Sequence, residues 1–249
     1  MENKFKQLVL YAYILSCSLI QMLTSNSKIN SLLLLLISVF LISSCAEEEI
    51  LVETPFYFYD FETDYTNIDS VWISDFDGSR VMGPFNNSGF SLRINDLPEH
   101  KYLRLEFDLY IHDSWEGNTN EMQLDIPDHD AWFIEFDPHK KVKISDKVFF
   151  ETTFSNGLCV SAWCYSQSYP NHYPFENNAR TEALSKQISG RCLWSDTPNA
   201  TSVYTIERYF PHNEDSVVIA FYDRLKEPGG SDACNESWSM DNLSITVFD

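Results

Sequence analysis

Between Lys101 and His112 the chain alternates without a break. Leu103, Leu105, Phe107, Leu109 and Ile111 fall on one side, and Arg104, Glu106, Asp108, Tyr110 and His112 on the other. A period of two sustained over this length predicts a long strand with one buried and one solvated face. Shorter copies follow: Val217, Ile219 and Phe221 alternate with Val218, Ala220 and Tyr222, and Leu243, Ile245 and Val247 with Ser244, Thr246 and Phe248. Val142–Ile144 and Val148–Phe150 flank Ser145-Asp146-Lys147, which reads as a hairpin turn. With Phe56–Phe61, Val71–Ser74, Phe90–Ile94, Trp132–Phe136 and Val203–Phe210 the count reaches about ten strands.

No stretch after residue 50 carries a helical stripe, and Thr181–Ile188 has room for one or two helical turns at most. Many short strands separated by polar turns predict an all-β fold, an antiparallel β-sandwich. The least regular region is Ser155–Pro198. An excursion that long inside a compact domain is expected to be functional or pinned by disulfides.

The N-terminal part has a different pattern. An apolar run, Leu32–Leu41, leads into Ile42-Ser43-Ser44-Cys45 and then Ala46-Glu47-Glu48-Glu49. It is short for a membrane span and has the small residues that secretory cleavage requires. The stretch resembles the lipobox of bacterial lipoproteins, which implies a signal peptide over residues 1–44, a lipidated Cys45 and a tether over residues 45–54. The acidic triplet resembles the signal that sends Bacteroidota lipoproteins to the outer face of the outer membrane, so the chain is expected there, lipid-anchored and facing the exterior. A second apolar stretch, Leu8 to Leu23, is one more than a signal peptide needs. Translation from Met22 accounts for it; a membrane hairpin or an anchor over Leu8 to Leu23 is the competing reading.

The chain carries 17 Lys and Arg against 37 Asp and Glu, a net charge of −20. Without residues 1–44 it loses three lysines and one glutamate, and the balance becomes −22. So acidic a surface repels phosphate backbones and argues against a nucleic-acid partner. Beyond Cys17 and Cys45, the cysteines are Cys159, Cys164, Cys192 and Cys234. An even number in an exported domain predicts disulfides, with three connectivities open. Cys159 with Cys164 would close a small loop around Trp163, and Cys192 with Cys234 would staple a long excursion to the last strand. A zinc site is the alternative, but Cys-x4-Cys here lacks a matching second pair.

Three stretches together resemble a jelly-roll module of the concanavalin-like or MAM-like kind found in secreted and cell-surface proteins. They are Tyr59-Asp60-Phe61-Glu62, then Phe107–Asn118 with Ala131–Asp137, and Glu236–Ile245. The resemblance covers about Phe56 to Phe248, and residues 55–249 are read as that domain. It implies that the first and last strands lie together, with Asp60, Glu62 and Asp241 where related sandwiches hold a structural calcium. Calcium needs six to eight oxygen ligands, which carboxylates and carbonyls supply. A second acidic loop, His112–Asn118 with Asp128-His129-Asp130, offers Asp113, Glu116, Asn118 and Asp130 to one cation; a solvated hairpin end is the plainer reading.

Catalytic signatures are incomplete. Glycosidases on this fold carry Glu-x-Asp-x-x-Glu on one strand. Glu106-Phe107-Asp108 begins that pattern but meets Ile111, and Glu135-Phe136-Asp137 runs into Pro138. No Gly-x-Ser-x-Gly, His-Glu-x-x-His or glycine-rich phosphate loop occurs. Aromatic residues are better placed: Trp163, Tyr165, Tyr169, Tyr173 and Trp194 fall in or beside loops, the arrangement that stacks on sugar rings. Trp115, Trp132 and Trp238 belong to the shared motif and have the plainer role of plugging the sandwich. The expectation is a lipid-anchored, non-enzymatic binding or adhesion module for carbohydrate, with calcium holding its loops. The rivals are a polysaccharide hydrolase using Glu106 with Asp108 or Glu135, and a structural subunit that docks a protein.

Overall fold

In the computed structural model, the described residues are 52–63, 68, 72–118, 129–137, 148–156, 165–225 and 234–249. The proposed leader, Cys45, the Val142–Ile144 strand with its turn, Cys159, Trp163 and Cys164 lie outside them. Residues Leu51–Asp249 form one unit by their contacts.

The alternating run becomes β5, Tyr102–Asp113, and each side chain from Leu103 to Ile111 on its apolar side is buried. The other strands are β1 (Glu53–Tyr59), β2 (Ile73–Phe76), β3 (Ser79–Phe85), β4 (Gly89–Ile94), β6 (Ala131–Phe136), β7 (Val148–Thr152), β8 (Ser185–Ile188), β9 (Thr201–Pro211), β10 (Val217–Arg224) and β11 (Glu236–Phe248). No helix occurs among the described residues. Seven strands form one sheet in the order β2-β3-β11-β5-β9-β8, with β1 also on β11, and β4-β10-β6-β7 form the other. All pairings are antiparallel, and the two sheets pack as the expected sandwich. Strand β1 starts two residues inside the stretch read as tether.

β11 organises the larger sheet. One edge pairs with β5 along nearly its whole length. The other edge is shared: Trp238 and Met240 face β3, and Leu243–Phe248 face β1. The first and last strands are therefore neighbours, as the resemblance implied. Between the two halves the register shifts from Asp241 to Ser244, with Asn242 at φ 53°. The extra residue flips the alternation, so apolar side chains point inward at even positions before the bulge (Trp238, Met240) and at odd positions after it (Leu243, Ile245, Val247).

The core is aromatic. Trp132 and Trp238 meet edge to face at 5.8 Å, and Phe221 stacks on Phe90 at 4.8 Å. Trp115, Trp132 and Trp238 are fully buried and plug the sandwich. Burying each such ring gains about 2 kcal/mol or more.

Two elements depart from the sequence reading. The 181–188 segment contains no helical turn; it is a turn followed by β8, which pairs with β9 at Ser185↔Val203 and Ile188↔Thr201. Strand β3 was not among the expected strands; it contains Gly83-Pro84, residue types that are uncommon inside strands. Gly83 sits there because β3 approaches β11 closely: at φ 124°, a Cβ would lie 2.9 Å from the Trp238 carbonyl oxygen.

Candidate functional site

The outward side chains of β5 form the floor of the larger sheet's outer face. Asp77-Gly78, with φ values of 48° and 85°, makes a tight hairpin turn between β2 and β3. The hairpin carries Phe76 over this floor, 4.5 Å from the His112 ring and 6.0 Å from Tyr110, nearly perpendicular to Tyr110. Facing it are Gln187, Ile188, Ser189 and Gly190, and the two walls enclose an open cleft of about 450 Å³.

The second wall is fixed from behind. The buried Asp113 carboxylate accepts the backbone N–H groups of Arg191 and Cys192 at 3.2 Å and of Trp194 at 2.9 Å. Gly190 is required there: a Cβ would sit 2.3 Å from Asp113 Oδ1. A disulfide, Cys192–Cys234, ties the same loop to the start of β11. Arg191 then bridges the walls, its guanidinium 5.2 Å over the Phe76 ring and its Nη2 donating to Ser74 Oγ at 2.6 Å.

The floor is acidic and partly dry. Burial pushes the Tyr110 phenol up to about 12, and the negative charges of Asp241, Asp108 and Asp77 add to the effect. Burial also raises Asp241 to about 6, opposed by hydrogen bonds from Asn242 and Ser79 and reinforced by Asp108 and Glu62. His112 is held neutral, mainly by burial and then by Arg191. Its ring nitrogens meet the Thr201 and Ser239 hydroxyls at 3.1 and 2.9 Å.

Of the first set of proposed cation ligands, Glu62 and Asp241 come together. Ser79 Oγ lies 2.7 Å from Glu62 Oε1 and 3.2 Å from Asp241 Oδ2. Asp60 instead accepts the backbone N–H of Glu62 and turns its own loop. The second set does not converge. Asp113 is committed to the 191–194 loop, and Asp130 accepts the Glu116 backbone N–H at 3.0 Å. Asn118 is committed elsewhere, with its Oδ1 accepting from Thr153 and Ser168 and its Nδ2 donating to Phe175 O. Among the described residues no three His, Cys, Asp or Glu side chains are placed to share a metal ion.

The aromatic residues expected to bind sugar are scattered. Tyr169 belongs to the core, packed on Phe154 and Tyr204. Tyr173 stacks on His129 at 3.9 Å, Trp194 lies half-buried in the loop held by Asp113, and Tyr165 is exposed. Phe76, which does line a cleft, was overlooked; Asp77-Gly78 between two apolar runs is the hairpin signal that would have found it. The hydrolase rival loses one of its pairs. Glu106 and Asp108 project from the seven-stranded sheet, while Glu135 is on β6 of the other sheet, bonded by the Tyr222 hydroxyl at 3.2 Å.

No family model matches the chain. Among the curated proteins none matches it either.

Proposed function

We propose that this protein is an exported, lipid-anchored binding module that holds carbohydrate in the cleft between the β2–β3 turn and residues Gln187–Gly190. The observation that supports the reading is the placement of Phe76. An aromatic ring is presented at the lip of an open cleft, beside the carboxylate of Asp77 and the amide of Gln187. Sugar rings offer apolar C–H faces to aromatic rings and hydroxyls to carboxylates and amides. The cleft is open to solvent, which suits a chain lying across the sheet. No acid pair of the retaining-glycosidase kind was found in the sequence, and the reading is a binding role without catalysis.

A glycan array probed with the chain from Ala46 onward, with and without chelator, tests the proposal. Binding to a defined class of glycans is expected. Loss of that binding on chelation would bring calcium into the site. Absence of binding in both conditions overturns the carbohydrate reading.

A further inference from the structure

Half of the large apolar side chains exposed among the described residues gather at one end of the larger sheet. Val52 is 58 % exposed, Phe56 37 %, Phe58 64 %, Tyr102 41 % and Tyr209 51 %. Cross-strand register places Tyr102 and Tyr209 near one another at this end, with Phe58 on the same face four residues further along β11. Tyr102 lies opposite Phe248, which lies opposite Glu53; Arg104 lies opposite both Tyr209 and Thr246; and Phe58 lies opposite Ser244. One cation, Arg104, faces three carboxylates in this patch, which keeps a net negative charge. The Arg104 guanidinium reaches toward Glu53 at 3.5 Å and toward Glu106 and Glu207 at 3.9 Å, and it lies 5.5 Å over the Phe248 ring. Tyr209 packs on Phe248 at 5.7 Å and donates its hydroxyl to Glu207.

This is also the end at which the chain enters the domain. β1 starts at Glu53, so only Ala46–Val52 separate it from Cys45. Seven extended residues span at most about 25 Å. We infer that the outer face around Tyr102, Tyr209 and Phe58 rests on the lipid surface that carries the anchor. The inference depends on lipidation at Cys45 and on no property of the cleft. Tyrosine suits such a position, because its ring favours the interfacial layer while its hydroxyl stays wet. The acidic surface repels anionic headgroups, so the surface that fits is zwitterionic.

The orientation has a functional consequence. β5 runs from Tyr102, at the membrane end, to Asp113, beside the wall of the cleft. Tyr102 and the cleft floor share the outer face, so contact at the Tyr102 end leaves the cleft further along that face, at the far end of β5 from the anchor.

Enzymatic iodination tests the inference, because the iodinating enzyme is too large to enter a protein–lipid gap. Lipidated protein in phosphatidylcholine vesicles is compared with the unlipidated chain from Ala46 onward in solution, and labelled tyrosines are counted by mass spectrometry. Tyr165 is the internal control. It is 50 % exposed, and its neighbour Ser166 accepts the Asn118 N–H beyond the opposite end of β5. Iodine at Tyr102 and Tyr209 is expected to fall several-fold on anchoring, with Tyr165 unchanged. Equal labelling of all three in vesicle-bound protein overturns the inference and leaves the anchor standing. Failure of the wild-type protein to float with the vesicles overturns the anchor itself, and the inference falls with it.

Discussion

Ser79 stands between Glu62 and Asp241 with one hydroxyl hydrogen to share, 2.7 Å from the first carboxylate and 3.2 Å from the second. With both acids ionised, only one of these contacts is a full hydrogen bond. Asp241 also faces Asp108, and burial raises its pKa to about 6 from 3.8. A proton on Asp241 supplies the missing hydrogen. The folded state therefore binds this proton more tightly than the unfolded chain does. The contribution is fully present below about pH 4 and is lost as the pH rises toward 6. Asp241→Asn, whose amide provides the hydrogen permanently, should raise stability at pH 8 by about 1–2 kcal/mol. It should also flatten the pH dependence between 4 and 7. Urea titrations at several pH values check both, and an unaltered slope with pH removes Asp241 from the account.

Asp113 makes a second prediction. Asp113→Ala strands the N–H groups of Arg191, Cys192 and Trp194 beside a new void, at a cost of about 2–4 kcal/mol. Asp113→Asn keeps an acceptor and tolerates the left-handed backbone at φ 64°, so its cost should be about 1 kcal/mol. Urea midpoints compared at constant slope give the two values.

The Cys192–Cys234 bond closes a loop with a sequence separation of 42 residues. Replacing both cysteines by serine should cost about 2–4 kcal/mol, mostly through the freedom gained by the unfolded chain. Calorimetry of the double variant measures the loss. A change below half a kilocalorie would mean that the Asp113 carboxylate alone secures the loop.

Asn156 is buried at the junction of three segments. Its Nδ2 donates to the carbonyls of Ile111, Asp113 and Ala200, and its Oδ1 accepts from the Ser202 hydroxyl. Asn156→Ala leaves these carbonyls without that donor and should destabilise the domain by about 2–4 kcal/mol. Asn156→Asp should do so as well, because a carboxylate cannot donate. Thermal melts of the two variants test the assignment.

At the cleft, Phe76→Ala removes a half-buried ring without opening the main core. Any glycan bound there should lose about 1 kcal/mol or more, roughly a fivefold or greater fall in affinity. Tyr165→Ala should leave binding unchanged. The reverse pattern, measured by titration calorimetry on the best array ligand, would move the site to the 165–173 loop.

Most strands were legible from alternation because their faces differ. Leu103–Ile111 can point only one way, and β10 repeats the pattern. The first half of β11 was hidden by the extra residue at Asp241-Asn242, since a bulge throws a period-two pattern out of phase. β8 was hidden for another reason. Ser-Lys-Gln-Ile has no alternation, and β9 alone makes it a strand. The site was less legible than the fold. Phe76 and Gln187 are far apart in sequence and meet only because the β2–β3 hairpin folds over the sheet. Asp113 carried the expected chemistry of a carboxylate, but its partners are backbone amides, which no side-chain pattern reveals.

Because β11 borders β1, β3 and β5, none of those three can finish its hydrogen-bond ladder until that segment has left the ribosome. The domain thus assembles around its latest-made strand, and early contacts among the others remain provisional. A premature stop codon even shortly before Glu236 would leave three strand edges open at once and yield an aggregation-prone polypeptide rather than a slightly shortened module.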